Sequence, residues 1–283
     1  MLTLLDVVQK STQYLEQKGI ENPRRQAEEV ISEAFGLKRL EIYLNFERPL
    51  TESEIVKCRS VIERRGKREP SQYISGNVEF LNCKIQVTRD VLIPRQETEI
   101  LTDKIIQELS KENLEGKTLW DVCSGSGCIG IAIKKRFPQL HVILSDISEK
   151  ALEIAKYNAE INEVDVDCLL GDLLAPFANK KADFFVCNPP YIAEHEFSGL
   201  EPEVRDFEPK SALVSGPSGL EFYHRLVLEL KNYLLPGSKA WLEIGHGQGQ
   251  ALQNLFSALP CKSAEIQTDW SGKERFLLLS CLL

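Results

Sequence analysis

The chain has 283 residues, 43% of them hydrophobic and 27% charged, with a net charge of −8. This length exceeds the roughly 100–200 residues of a typical domain, so one large or two unequal domains with a substantial core are expected. The acidic balance argues against an extended grip on nucleic-acid phosphates, which needs a broad basic face, and no stretch approaches the roughly 20 apolar residues of a membrane span. Cysteines at 58, 83, 123, 128, 168, 187, 261 and 281 form no C-x-x-C pair and have no neighbouring His at ligand spacing. Neither zinc nor a disulfide scaffold is indicated, so no metal is expected, and a reducing cytoplasm is the natural setting. The N-terminus, with Asp6 and Lys10, lacks an apolar signal core.

Residues 2–68 carry helical periodicity. Leu5, Val8, Thr12 and Leu15 share one face; Asn22 and Pro23 read as N-cap and first residue of a second helix ending at Gly36; Thr51-Glu52-Ser53-Glu54 is a capping box that opens a third. The dense basic run at 57–68, with Lys57, Arg59, Arg64, Arg65, Lys67 and Arg68, reads as the solvated face and last turn of that helix. Residues 1–72 are expected to be a small helical domain, assigned to partner recognition by elimination. Residues 73–80 and 84–87 are β-prone and joined by Leu81-Asn82-Cys83, which predicts a hairpin linker over 73–92.

Residues 93–283 read as an α/β domain. Leu92-Ile93-Pro94-Arg95-Gln96-Glu97-Thr98-Glu99 leads into a helix over 98–110, where Glu97 and Glu99 suit the dipole of a first turn. A strand over 118–122 is followed by Cys123-Ser124-Gly125-Ser126-Gly127 and a helix over 128–136. The two glycines permit a tight turn and close approach of a ligand to backbone. A second strand over 141–145 delivers Asp146, about 20 residues past Gly125, where a carboxylate accepts from ribose hydroxyls. A helix over 151–161 and a strand over 167–170 lead to Gly171-Asp172-Leu173, an exit where an acid can receive the exocyclic amine of adenine. Further strands over 184–187 and 239–244 complete a doubly wound, mostly parallel sheet with ligands at the strand C-termini. Strands near 264–267 and 274–280 add an antiparallel pair, the apolar 276–283 stretch being the last buried strand.

The most informative stretch is Phe184-Phe185-Val186-Cys187 running into Asn188-Pro189-Pro190-Tyr191. Two prolines stiffen the strand exit and leave the Pro189 carbonyl with no ladder to join. With the Asn188 side-chain oxygen it forms a pair of acceptors that matches the two hydrogens of a planar –NH2, and Tyr191 offers a flat face beside them. Gly125, Gly127 and Gly130 also spell G-x-G-x-x-G, which makes a nicotinamide dinucleotide a competitor, although nothing downstream supplies a hydride-transfer site. The histidines at 141, 195, 224 and 246 have no triad partner and read as structural or solvent-facing.

Asp121 to Gly127, Asp146 and Asn188 to Tyr191 together resemble a class I S-adenosylmethionine-dependent methyltransferase that acts on amino groups. With Pro94 to Glu99 ahead of the first strand and the helical N-terminal part, the whole chain resembles the protein-glutamine methyltransferases of peptide chain release factors. The resemblance implies methylation of the side-chain amide of the Gln in a Gly-Gly-Gln loop, with S-adenosyl-L-methionine as cofactor. It makes Cys123, Ser124, Gly125, Ser126 and Gly127 the cofactor loop, Asp146 the ribose acid, and Asp172, Leu173 and Asn188 further cofactor contacts. Asn188, Pro189, Pro190 and Tyr191 would hold the substrate, Asn188 and Pro189 carrying the catalysis, with Arg95, Glu97 and Thr98 auxiliary. The family commonly has Pro where Gln96 stands, which implies a less rigid loop here, and often an aromatic where Leu173 stands, which implies weaker packing on the adenine. Residues 208–213 and 242–248 match in position but carry no assigned chemistry.

The expected partner is a release factor, with no membrane and no extended nucleic-acid surface, and a monomer is the default. The alternative is methylation of an exocyclic amine of adenine or guanine in RNA or DNA, since the same acceptors suit a flipped base stacked on Tyr191. A non-catalytic or dehydrogenase-like dinucleotide binder is the third reading.

Overall fold

The computed structural model describes residues 1–281. The chain divides into two compact units, Met1–Asn77 with Glu201–Phe207, and Val78–Leu200 with Glu208–Leu283.

The first unit is helical: α1 (Leu4–Gln17), α2 (Pro23–Ala34), α3 (Arg39–Leu44), α4 (Glu52–Gly66) and α5 (Ser71–Ser75). Thr3 caps α1 by accepting from Asp6 N–H, while the Asp6 carboxylate accepts from Thr3 N–H; Thr51 and Glu54 do the same for α4. The buried stripe of α1 is Leu4, Val7, Val8, Ser11 and Leu15. Leu5 and Thr12 are only half-buried, because the cap at Thr3 sets a helical phase that turns Leu4 into the core. Asn22 precedes α2 as expected, but in a left-handed conformation, and its side chain makes no capping bond. Ile31, Ile42, Leu50 and Ile62 join that stripe in one core.

The basic run is not simply a solvated face. Arg65 is 6% exposed, and it donates to Gln26 and Glu203, while Arg64 forms two bonds with Glu69 at 2.8 and 2.9 Å and Arg68 reaches both oxygens of Glu203. Three of its guanidiniums therefore serve as internal fasteners.

In the second unit, β1 (Asn77–Phe80) and β2 (Cys83–Gln86) form the hairpin. It starts later than the β-prone stretch because 71–75 closes into α5. Leu81 and Asn82 both have positive φ, the turn geometry whose twist matches its flanking strands. There follow α6 (Gln96–Leu109), β3 (Thr118–Val122), α7 (Cys128–Arg136), β4 (His141–Asp146), α8 (Glu149–Ile161), β5 (Asp167–Leu170), β6 (Ala182–Cys187) and β7 (Ile192–Ala193). The segment Glu201–Phe207, with α9 (Pro202–Arg205), belongs to the first unit, and the second resumes with β8 (Val214–Gly216), α10 (Glu221–Glu229), β9 (Leu234–Glu243), α11 (Gly249–Phe256), β10 (Cys261–Thr268) and β11 (Glu274–Cys281). The expected final strand is β11, and residues 282–283 lie outside the described residues. The hairpin is fastened to α8, where Asn158 and Asn162 accept from Gln86 and Lys84 N–H and donate back to the same residues' carbonyls.

The seven-stranded sheet runs β10-β11-β9-β6-β3-β4-β5. β9, β6, β3, β4 and β5 are mutually parallel, and β11 is antiparallel to both β9 and β10. Trp120 stacks on Phe177 with centroids 4.0 Å apart, and Phe185, Leu226, Leu242 and Phe256 extend the same core. Register then decides what meets at the edge. Leu242 pairs with Cys187, Cys187 with Val122, Val122 with Ser145 and Ser145 with Leu169. One residue further on, Glu243, Asn188, Cys123, Asp146 and Leu170 form a row across the C-terminal edge of the sheet, where ligands bind in such folds. Among the described residues no helix is long and apolar enough to cross a membrane.

Candidate active site

A cleft opens at this edge. Its lining includes Cys123 to Ser126, Asp146, Gly171 to Leu173, Asn188 and Pro190, together with Pro94, Thr98 and Phe222. The turn after β3 is a cradle made of backbone. Gly125 (φ +52) has open space where a Cβ would point, whereas a Cβ on Gly127 (φ +78) would press on Ile131, Leu144 and Ala155. The third glycine, Gly130, lets α7 lie against the sheet: a Cβ there would come within 2.3 Å of Leu144 Cδ2. Two non-glycine residues at the cleft, Cys123 and Leu173, also hold left-handed backbone (φ 59 and 47). Such conformations cost about 1–2 kcal/mol each, and they concentrate where a strand exit must turn toward a ligand.

Buried carboxyls hold this cradle. Gly130 N–H donates to Asp121 Oδ2 at 2.8 Å, and Asp121 is fully buried. Burial pushes its carboxyl up from 3.8 to about 7, with the Gly130 bond opposing and the Asp146 charge adding to the rise. Asp146 Oδ2 accepts from Gly125 N–H at 2.8 Å and its Oδ1 from Ser148 N–H at 2.9 Å; burial raises this carboxyl too, against those bonds. The hydroxyls of Ser124 and Ser145, both lining the cleft, are buried without a partner among the described residues. Asp172 is half exposed and pairs with Arg225 (2.8 Å), and the Leu173 side chain points into the core at 3% exposure. The aromatic face missing at Leu173 is present elsewhere in the lining, at Phe222 on α10.

At the exit of β6 the Asn188–Pro189 bond is trans, Pro189 and Pro190 are buried, and Asn188 is half-buried. Asn188 Nδ2 donates to Thr98 Oγ1 at 3.5 Å, and Thr98 Oγ1 donates to Glu243 Oε2 at 2.7 Å. The Asn188 Oδ1 and Pro189 carbonyl oxygens accept from no protein group among the described residues. Tyr191 is fixed through its backbone: Gln248 Nε2 donates to its carbonyl at 3.0 Å, and Gly219 leaves no room for a Cβ, which would lie 2.6 Å from the same oxygen. Burial pushes its phenol well up.

Of the auxiliary residues, Thr98 belongs to this corner, whereas Arg95 and Glu97 pair, among the described residues, with other groups than Asn188. Arg95 pairs with Glu208, whose other oxygen accepts from Ile93 N–H at 3.0 Å. Glu208 thus stiffens the 93–95 loop, and Gln96 is simply the exposed first residue of α6, a position where a proline would also fit. Glu97 faces Arg275 at 3.9 Å. All four histidines are exposed.

Residues 6–76 match the PrmC N-terminal domain family, and residues 94–200 match the methyltransferase small domain family. A release factor glutamine methyltransferase of Chlamydia trachomatis serovar D is 42% identical to the chain, over 96% of this chain and 92% of that protein. The chain belongs to the release factor glutamine methyltransferase family. Another member, from Geobacter sulfurreducens, is 38% identical over 90% of this chain and 88% of its own length. A methyltransferase structure from Pyrococcus furiosus, 16% identical, superposes with a TM-score of 0.52 over 71% of this chain and 90% of that one, which shows the shared fold.

The residues that sequence reasoning passed over are Asp121 as an anchor, Phe222, Glu208, Glu243 and Gln248. Each reaches the cleft or its supports from a different element. The matches at 208–213 and 242–248 were the available signal for three of them.

Proposed function

We propose that the chain transfers a methyl group from S-adenosyl-L-methionine to the side-chain amide nitrogen of the glutamine in the Gly-Gly-Gln motif of peptide chain release factors. The observation that carries this reading is the Asn188 corner: an acceptor oxygen whose own –NH2 is tied back to Thr98, next to a stiff Pro189 carbonyl, at the edge of a cleft. A glutamine amide presents two hydrogens to such a pair.

The residues fit the cofactor. Gly125 leaves its Cβ direction open to the cleft, Asp146 stands one strand over to accept from a ribose, and the unpartnered Ser124 and Ser145 hydroxyls offer polar contacts. Cys123 to Gly127 would hold its amino-acid part, with Asp172 and the Leu173 backbone near the base and Phe222 supplying a flat face. When bound, the cofactor supplies a methyl on a positively charged sulfur.

The chain's own task is to present a poor nucleophile. An amide nitrogen shares its lone pair with its carbonyl, so acceptors that strengthen as positive charge develops on the –NH2 lower the barrier, and Asn188 Oδ1 and Pro189 O would supply those acceptors. Pro190 and Tyr191 wall the substrate, and no general base is required before the methyl arrives. The helical unit is the docking module for the release factor: α3 leaves Leu40, Tyr43 and Leu44 exposed, an apolar stretch suited to a protein partner. Its paired Arg64, Arg65 and Arg68 offer little to a phosphate backbone.

Incubation with labelled S-adenosyl-L-methionine, a purified release factor, total tRNA and rRNA tests the proposal. Label is expected in the release factor and lost when its Gly-Gly-Gln glutamine becomes Ala; label in RNA alone would replace it with base methylation.

A further inference from the structure

Glu243 ends β9 inside the protein, at 1% exposure, in the row that also contains Asn188. A buried carboxyl is expensive, and an apolar residue of similar size would serve packing better. Its surroundings give it a different task. Thr98 Oγ1 donates to Glu243 Oε2 at 2.7 Å and receives Asn188 Nδ2 at 3.5 Å. The backbone on either side is held as well: Tyr223 O–H donates to the Glu243 carbonyl at 2.7 Å, and Thr102 O–H to the Thr98 carbonyl at 2.7 Å.

The direction of these bonds follows from donor and acceptor chemistry. In its ionised form, which prevails above about pH 7, the Glu243 carboxylate only accepts, so it commits the single proton of the Thr98 hydroxyl. The hydroxyl then has only lone pairs left, and Asn188 must turn its –NH2 toward it. Only one orientation of the amide remains, with Oδ1 turned away from Thr98 and left to accept. The opposite orientation would set the –NH2 of Asn188 against the –NH2 of a substrate amide, donor against donor.

We infer that Glu243 and Thr98 act as positioning residues that fix the polarity of the Asn188 amide, Glu243 setting the Thr98 hydroxyl and that hydroxyl setting the amide. The inference rests on the reading of Asn188 as the acceptor for the substrate –NH2. Glutamine at 243 keeps the shape but can donate to Thr98, which frees the hydroxyl proton to turn toward Asn188 Oδ1 and inverts the amide. Valine at 98 removes the link, while serine at 98 retains it.

The test is single-turnover methyl transfer to a release factor by Glu243→Gln, Thr98→Val, Thr98→Ser and the Glu243→Gln/Thr98→Val double variant, with thermal melting and S-adenosylhomocysteine affinity measured on each. The expected result is a fall in the transfer rate of about tenfold or more for Glu243→Gln and Thr98→Val, with KM for the release factor and cofactor affinity changed less than about threefold. Thr98→Ser should recover most of the rate, and the double variant should be no slower than the slower single variant, because both changes break one connection. A Glu243→Gln variant with the native rate, additive losses, or losses that follow the melting temperature alone would overturn the inference. Asn188→Ala separates the two levels. If it transfers methyl at the native rate, the role of Asn188 itself is wrong; if it is inactive while Glu243→Gln and Thr98→Val are not, only the relay is wrong.

Discussion

The ends of β3 and β9 reach the cleft with the same device, a fully buried carboxyl raised to about 7 by burial, and use it differently. Asp121 grips a backbone N–H at the start of α7, so it shapes the main chain of the cradle. Glu243 grips a hydroxyl that in turn holds a side-chain amide, so it orients one functional group and leaves the backbone to others. A backbone grip tolerates little change, since Gly130 has no room for a methyl group. A side-chain relay can be rewired by one isosteric substitution.

The most severe way to break the cradle is Gly125→Val, which places a side chain where space is now open and forces a β-branched residue to φ +52. Affinity for S-adenosylhomocysteine by calorimetry should fall at least about 100-fold, or about 2.7 kcal/mol.

Next in size is the cost of the two acids. A carboxyl raised above its unfolded value holds its proton more tightly when folded, so its stabilising contribution is complete below about pH 4 and is lost as pH rises through about 7. Around Glu243, burial leads the rise and Glu97 adds to it, while Thr98, Arg275 and Arg95 oppose it. Urea unfolding at pH 5 and pH 8 should show Asp121→Asn and Glu243→Gln each flattening the native decline by up to about 3 kcal/mol. An unchanged slope in both would remove the buried acids from the comparison.

Gly130→Ala should then destabilise by about 1–3 kcal/mol, because its methyl meets Leu144 Cδ2 and approaches Asp121 Oδ2 at 3.1 Å. Phe222→Ala should weaken S-adenosylhomocysteine by about 3–10-fold, the worth of an aromatic contact, with Phe222→Tyr near native. The smallest effect is expected for Arg225→Ala: its bond to Asp172 is half exposed, and such pairs contribute about 0–1 kcal/mol.

The same comparison explains what could be read from sequence. Strand, turn and helix around Gly125, Gly127 and Gly130 are contiguous, and their spacing alone announces the cradle. Asn188 to Tyr191 is contiguous as well. Thr98, Asn188 and Glu243 come together only because the order β9-β6-β3 sets Glu243 beside Asn188 and α6 covers them, and no local pattern encodes that. Glu208 is illegible for the same reason, as its partners Ile93 and Arg95 lie more than a hundred residues away. In α1 the expected face shares Val8 and Leu15 with the buried stripe, but Leu4 and Ser11 replace Leu5 and Thr12, and the apolar spacing alone does not separate these neighbours. Arg65 read as solvated because Glu203 is supplied by a distant segment of chain.

The central claim is that Asn188 orients the acceptor rather than building the cofactor cradle. Asn188→Ala tests it most directly, with the single-turnover rate of methyl transfer to a release factor and the affinity for S-adenosylhomocysteine measured on the same preparation. The account predicts a rate lower by about 100-fold or more, the scale of a lost transition-state hydrogen bond, with affinity reduced less than about tenfold. A native rate, or an affinity loss as large as the rate loss, would contradict it.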